Sequence, residues 1–117
     1  YEVSQNSAEF MNEKKKQGSQ LVAVGTTVAR TLETTACSKN EIKSSSGDTD
    51  IFIFPPYEFK MVDILLTNFH VPKSSLMMLV DAFLQNKKSK RSIHSLYEEA
   101  INERLRFFSF GDAMLIL

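Results

Sequence analysis

The feature that most constrains the fold is a short apolar run, Leu21 to Val24, which is closed by Gly25 and followed by two threonines. An uninterrupted apolar run of this length, ended by a glycine, is typical of a buried strand covered on both faces. Thr26 or Thr27 is placed to cap a following helix in which apolar residues recur at intervals of four. A strand, a tight turn and a helix in this order predict an α/β unit.

The residues before this unit predict another helix, running from Ser4 to about Gln17. Ser4 is a suitable N-cap, and Gly18 suits the left-handed position that follows a helix. The basic residues 14–16 fall in the last turn, where they oppose the negative end of the helix dipole. We therefore expect these residues to stabilise the helix end rather than to contact nucleic acid.

The middle of the chain changes from polar to apolar. Residues 38–50 are almost all polar, so little apolar surface can offset the entropy of ordering, and we predict a flexible polar loop there. Ile51 to Phe54 predicts a strand, which must end at Pro55 and Pro56 because proline cannot donate to a ladder. A further strand is predicted at about residues 59–62.

The C-terminal half predicts two helices and a final strand. Ser74 can cap a helix whose residues 76–84 are apolar nearly all round, as in a central, buried helix. A basic linker at about 86–92 follows, either a solvated turn or a contact for phosphate. Apolar residues at helical spacing from Ile93 to Phe108 predict the second helix, and residues 113–117 predict a final buried strand.

Composition limits the class of protein. The 117 residues are 43% hydrophobic, enough for one core, and 14 Lys and Arg balance 14 Asp and Glu, so no overall field draws the chain to nucleic acid or a membrane. A single cysteine excludes an internal disulfide and suits a reducing compartment. No apolar run approaches the roughly 20 residues of a membrane-spanning helix. We expect a soluble, cytoplasmic protein without a membrane partner, and the start at Tyr1 favours a fragment.

The glycine and two threonines at the start of the first α/β helix form a candidate anion site. Free backbone N–H groups and the helix dipole favour negative charge there. The alternative is an ordinary capped turn without a ligand, since the dinucleotide fingerprint and the P-loop lysine are both missing. Arg30 and Glu33 lie three residues apart on one helical face, which predicts a surface ion pair of small value.

A second group of polar residues lies between apolar segments. Tyr57, Lys60 and Asp63 come first, and Asn68 and His70 follow. Polar groups so placed must be satisfied or functional. In an extended segment Asn68 and His70 project to the same side. His70 can exchange a proton near neutral pH, although a lone histidine is also found as a hydrogen-bonded structural residue.

Near the C-terminus, Arg106 and Asp112 flank three phenylalanines. The aromatic rings are either core or a stacking surface for a base. The two histidines are too far apart in sequence to give a metal-ligand spacing. The residues alone therefore predict a soluble α/β domain with a candidate anion-binding turn.

Three longer runs occur in a fixed order: VGTTVARTLE at 24–33, TDIFIFPPYEFKMVDILLTNFHVPKSSLMMLVDAF at 49–83 and YEEAINERLRFFSFGDAMLI at 97–116. They resemble the C-terminal signatures of the S-adenosylmethionine:tRNA ribosyltransferase-isomerase family. The combination of TNFHVPKSSLMMLV and FFSFGDAMLI is the most specific part of the resemblance. Pro56 stands where the family usually has a glycine.

The resemblance implies a cytoplasmic enzyme of queuosine biosynthesis. Such an enzyme transfers and isomerises the ribosyl moiety of S-adenosylmethionine onto 7-aminomethyl-7-deazaguanine at the tRNA wobble position. It gives epoxyqueuosine and releases adenine and methionine. S-adenosylmethionine is then a consumed cosubstrate, no metal is needed, and the full enzyme is expected to be a monomer.

The resemblance also implies a fold. We expect a mixed sheet flanked by helices, as the C-terminal segment of a larger three-layer α/β catalytic domain. The β-barrel domain of the family is not readable in this chain. We expect residues 1–117 to be inactive without the rest of the enzyme.

Site residues follow from the same resemblance. His70, Asn68 and Asp63 are the catalytic candidates, with His70 moving the proton from the carbon beside the sulfonium and Asn68 orienting His70 or the ribose. The substrate-binding candidates are Thr26, Thr27, Arg30, Tyr57, Lys60, Arg106 and Asp112. Two other functions stay open: a non-catalytic anion- or RNA-binding module, and a methyltransferase-like domain that uses S-adenosylmethionine.

Overall fold

The computed structural model describes residues 1–69, 74–106 and 111–117. Within these ranges no helix is both long enough and apolar enough to cross a membrane. The elements follow one another along the chain as β1 (Glu2–Val3), α1 (Gln5–Lys16), β2 (Val22–Val24), α2 (Thr26–Thr35), β3 (Ala36–Ser38), β4 (Glu41–Ile42), β5 (Ser45–Ser46), β6 (Ile64–Asn68), α3 (Ser75–Asn86), α4 (Ile93–Asn102) and β7 (Ala113–Ile116).

A three-stranded sheet in the order β2-β6-β7 is the centre of the fold. Strand β2 runs parallel to β6, with Val22 opposite Ile64. Strand β7 runs antiparallel to β6, with Leu115 opposite Leu66. Two short antiparallel pairs, β1-β5 and β3-β4, lie outside this sheet. The predicted mixed sheet with flanking helices is therefore confirmed.

The first helix agrees with its prediction at both ends. The Ser4 hydroxyl accepts a hydrogen bond from the Ser7 N–H at 3.1 Å, and Gly18 has a φ of 84°. The side chain of Lys15 is only 5% exposed and forms an ion pair with Asp63 at the start of β6.

Strand β2 is covered on one face only by the described residues, so its predicted burial on both faces is wrong. Ala23 is fully buried, whereas Val22 and Val24 are 49% and 61% exposed. The final strand shows the same alternation, with Ile116 buried and Leu115 54% exposed. Since side chains alternate along a strand, an apolar run fills one covered face and leaves the other open.

The start of α2 differs from its prediction. Neither threonine is the N-cap; Gly25 is, with φ 98° and ψ 149° and no side-chain cap hydrogen bond. This backbone conformation is essentially restricted to glycine. Thr26 is the first helical residue and is buried.

The segment predicted as a polar loop, 38–50, contains strands β4 and β5. Ile42 is buried, and its backbone is bound on both sides by one side chain. The Asn12 amide donates to the Ile42 carbonyl at 2.8 Å and accepts from its N–H at 2.9 Å. Strand β4 is thus stabilised by one buried residue, Ile42, and by its hydrogen bonds to Asn12. The polar composition of the segment did not indicate this strand.

The strands predicted at 51–54 and 59–62 are wrong, since the chain is irregular up to β6. For residues 59–62 the physical reason is a competing partner for the backbone. The N–H groups of residues 60–62 donate to the carboxylate of Glu33 instead of to a neighbouring strand.

The predicted central helix is confirmed as α3. The Ser74 hydroxyl caps it by accepting from the Met77 N–H at 3.2 Å. Phe83 is fully buried and meets the ring of Phe59 edge-on at 5.0 Å. The basic segment after α3 leads directly into α4, and Arg91 pairs there with Glu99.

Helix α4 ends at Asn102, earlier than the predicted Phe108. Arg104 has a φ of 58°, a left-handed conformation that stops the helix. Phe107, Phe108 and Phe110, for which we predicted core packing or base stacking, lie outside the described residues.

Candidate functional site at the carboxyl edge of the sheet

The parallel strands bring two of the predicted groups to one edge of the sheet. The Gly25 N–H donates to the Leu66 carbonyl at 2.8 Å. Thr26 and Thr27 therefore begin α2 beside the end of β6, where Asn68 lies. In open α/β sheets, ligands bind outside the carboxyl ends of the strands.

The start of α2 has the features of an anion site. The first N–H groups of a helix have no intrahelical partner, and Gly25 supplies no capping side chain. Thr27 is exposed. The cavity of about 470 Å³ that Thr27 lines with Leu21 and Val22 is largely apolar and has no Lys or Arg among the described residues of its lining, so it does not add to the anion site. Arg30 follows Thr26 by four residues and so lies on the same helical face.

The guanidinium of Arg30 is partly buried and donates to the Ile51 carbonyl at 3.1 Å. No ion pair joins it to Glu33 in the part of the chain that the structure describes. The predicted surface pair between Arg30 and Glu33 is wrong, because Glu33 points into the core.

Strand β7 adds a third group to the edge. Asn68, the half-buried last residue of β6, lies opposite Ala113, the first residue of β7. Asp112 immediately precedes Ala113 and accepts the Arg106 N–H at 2.8 Å, while the Arg106 guanidinium lies 3.6 Å from the carboxylate. The Arg106 side chain is 74% exposed.

Six predicted site residues lie at this edge or on the segments that adjoin it, and we call them the edge cluster: Thr26, Thr27, Arg30, Asn68, Arg106 and Asp112. The edge cluster holds backbone N–H groups, two guanidinium groups, an amide and the Asp112 carboxylate, which lies 3.6 Å from the Arg106 guanidinium. The N–H groups and the Arg30 guanidinium at the start of α2 suit an anionic ligand. Across residues 1–69, 74–106 and 111–117, no group of three or more His, Cys, Asp or Glu residues could hold a metal ion.

His70 lies outside the described residues, so its predicted position beside Asn68 stays a prediction. Thr67, three residues earlier in the sequence, is buried, and its hydroxyl donates to the Asn68 carbonyl at 3.2 Å.

Asp63 lies at the opposite end of β6. Its carboxylate pairs with the Lys15 ammonium and accepts the Leu21 N–H at 2.7 Å. Five residue steps separate it from Asn68, about 16 Å at roughly 3.3 Å per residue. The structure does not bring Asp63 to the edge cluster, and its contacts join α1 to the central sheet.

Glu33 is the residue that sequence reasoning missed. It is 4% exposed, and its Oε1 accepts from the N–H groups of Met61 at 2.9 Å and Val62 at 3.2 Å. Its Oε2 accepts from the Lys60 N–H at 2.9 Å and the Tyr57 hydroxyl at 3.3 Å.

A sequence signal for the burial of Glu33 exists. Glu33 follows Ala29 by four residues and Leu32 by one, and both of these are buried on α2. A residue four positions after a buried one lies on the same helical face. Glu33 therefore belongs to the buried face by spacing, although its charge favours an exposed interpretation.

Tyr57 and Lys60 lie near Glu33 rather than in the edge cluster. Burial, followed by the charge and hydrogen bond of Glu33, raises the pKa of Tyr57 to about 12, so its hydroxyl keeps its proton near neutral pH. The backbone of Lys60 is held, since its carbonyl also accepts the Asn40 N–H at 2.9 Å, but its side chain is exposed. Glu33 stands seven residues beyond Thr26, about 10 Å along the helix at roughly 1.5 Å per residue.

Fold and edge cluster together define an α/β unit with a candidate ligand site at the carboxyl ends of its parallel strands. The family model described as "Queuosine biosynthesis protein" matches residues 1–116. The chain belongs to this family, which confirms the resemblance found in the sequence.

Individual relatives agree. The chain is 53% identical over 116 residues to the S-adenosylmethionine:tRNA ribosyltransferase-isomerase of Natranaerobius thermophilus, covering 99% of the chain and 33% of the relative. It is 50% identical over 117 residues to the protein of the same name from Staphylococcus haemolyticus, covering 100% and 33%. The chain therefore spans about a third of the length of these relatives.

A solved structure shares the fold. The crystal structure of S-adenosylmethionine tRNA ribosyltransferase from Thermotoga maritima matches with a TM-score of 0.87 and 50% identity. The match covers 100% of this chain and 40% of the Thermotoga chain.

Proposed function

We propose that this chain forms part of an enzyme that transfers and isomerises the ribosyl moiety of S-adenosylmethionine onto tRNA. The acceptor is 7-aminomethyl-7-deazaguanine at the wobble position, the product is epoxyqueuosine, and adenine and methionine leave. The observation that carries the proposal is 53% identity over 99% of the chain to a relative named for ribosyl transfer and isomerisation.

In this proposal the start of α2 binds an anionic group of a substrate, either the methionine carboxylate or a phosphate. The N–H groups of Thr26 and Thr27 supply the positive end of the helix dipole. Arg30 adds a guanidinium on the same helical face, of whose five N–H donors one is bound to the Ile51 carbonyl. This pairing of N–H groups and guanidinium supports the binding of a carboxylate or phosphate.

The chemistry begins with removal of a proton from the carbon beside the sulfonium, which the positive charge acidifies. His70 is the proposed base, and Asn68 at the end of β6 orients His70 or the ribose. Tyr57 is not assigned this role, because its hydroxyl donates to the Glu33 carboxylate.

Arg106 and Asp112 close the site from the β7 side in this proposal, and Tyr57 and Lys60 contact the deazaguanine or its ribose. The exposed Lys60 ammonium supports such a contact. Asp63 is the weakest of the candidates, since Lys15 and the Leu21 N–H already engage its carboxylate. S-adenosylmethionine is the consumed cosubstrate, no metal takes part, and the enzyme works as a cytoplasmic monomer.

The products distinguish this function from its alternatives. Full-length enzyme with deazaguanine-containing tRNA and S-adenosylmethionine is expected to release adenine and methionine, and residues 1–117 alone are expected to release neither. S-adenosylhomocysteine as the product would contradict the proposal and favour the methyltransferase. Equal binding of tRNA with and without the deazaguanine, and no adenine, would favour a non-catalytic binding module.

A further inference from the structure

The carboxylate of Glu33 is buried without an ion-pair partner among the described residues. A buried charge is costly unless it is paired or hydrogen-bonded. Glu33 receives four hydrogen bonds, three from backbone N–H groups and one from a hydroxyl. Bonds to an ionised acceptor are roughly twice as strong as neutral ones, so this carboxylate holds its donors firmly.

The donors come from one short segment of the chain. Consecutive N–H groups of residues 60–62 converge on the carboxylate, as in the backbone concavities that bind free anions. Here the carboxylate of Glu33 takes the place that a free anion has in those concavities. The conformation of the segment therefore depends on a side chain of α2, at least 24 residues earlier in sequence.

The same segment carries two of the proposed substrate contacts. Tyr57 is fixed at three points: its hydroxyl donates to Glu33, its ring meets Phe59 edge-on at 4.8 Å, and its carbonyl accepts the Asn86 amide at 3.3 Å. Lys60 is fixed through its backbone, while its ammonium is free to reach a ligand.

We propose that Glu33 is a positioning residue that sets the places of Tyr57 and Lys60 for binding of the tRNA substrate. The inference rests on the proposed function. Glu33 does not itself contact substrate, because it is buried and its carboxylate is used by the segment. Its effect is on substrate binding through Lys60 and Tyr57.

The first test compares Glu33→Gln with Glu58→Gln in the full-length enzyme. Glutamine keeps the size of the side chain but places an N–H₂ group against backbone donors, which releases the segment. Glu58 is exposed in the same segment and serves as the matched control. Glu33→Gln is expected to raise KM for the tRNA by about tenfold or more with kcat within about threefold, the pattern of lost binding. The control is expected to leave both unchanged.

A folded Glu33→Gln enzyme whose KM stays within about twofold of the parent would overturn the proposal. Glu33→Asp is the second variant in case glutamine prevents folding. It keeps the charge, but the shorter side chain draws the segment inward, so an intermediate rise in KM is expected. An unchanged KM in a folded Glu33→Asp enzyme would count equally against the proposal.

A double substitution separates positioning from general stability. If Glu33 acts through Lys60 and Tyr57, then Glu33→Gln changes KM much less in a background carrying both Tyr57→Phe and Lys60→Ala than in the parent, because the effects overlap. Full additivity would show a merely structural role and overturn the proposal. If the parent enzyme itself does not transfer the ribosyl group, the proposed function is wrong. That result differs from additive effects in an active enzyme, which contradict only the role of Glu33.

Discussion

At the scale of single residues, Tyr57 makes a clear pH prediction. Its pKa is raised from 10.0 to about 12, chiefly by burial and then by the charge and hydrogen bond of Glu33. Below pH 10 the phenol is protonated in both the folded and unfolded states. Between pH 10 and 12 the unfolded chain releases this proton and the folded chain keeps it, so stability falls as pH rises.

Denaturant unfolding at a series of pH values tests this point. The free energy of unfolding of the parent is expected to decline between pH 10 and 12 more steeply than that of Tyr57→Phe, which lacks the titrating hydroxyl. Since Tyr57 is only partly buried, solvent screening makes the difference modest. Identical slopes for the two proteins would contradict the assigned environment of Tyr57.

At the scale of the elements, the turn between β2 and α2 depends on one glycine. Gly25 has a φ of 98°, and nothing lies within 4 Å of a Cβ built at this position. A substitution there is costly because of the backbone conformation and not because of a clash. Gly25→Ala is expected to lower the free energy of unfolding by about 1–3 kcal/mol.

Gly18→Ala is a suitable comparison for this substitution. Gly18 also has open space and a positive φ, of 84°, but it follows α1 and lies away from the edge cluster. Both variants are expected to lose stability, and only Gly25→Ala is expected also to weaken binding of S-adenosylmethionine by the full-length enzyme. A Gly25→Ala protein as stable as the parent would show that the turn does not require glycine.

Local sequence signals predicted some elements well and others badly, for a physical reason. The caps at Ser4 and Ser74 were predictable because a hydroxyl and the amide it binds lie three residues apart. The irregular backbone at residues 60–62 was not predictable from local sequence. Its amides bind Glu33, which lies 27 residues before Lys60. The β-like composition at residues 59–62 therefore predicted a strand that the structure does not contain.

At the scale of the whole molecule, the site depends on topology. Sequence reasoning named the members of the edge cluster, but their placement along one edge requires β2 parallel to β6 and β7 antiparallel to it. The register that places Asn68 opposite Ala113 brings Asp112 to the edge, and no local pattern predicts that register. Asp63, which sequence proximity placed with Asn68, lies at the far end of the same strand.

The fate of the ribosyl carbons tests the central claim most directly. The measurement uses full-length enzyme, deazaguanine-containing tRNA and two preparations of S-adenosylmethionine, one labelled in the ribose and one in the methyl group. Ribosyl transfer predicts that the ribose label enters tRNA in step with adenine release, while the methyl label leaves in methionine. Methyl label in tRNA, with the ribose label left on a nucleoside product, would contradict the account.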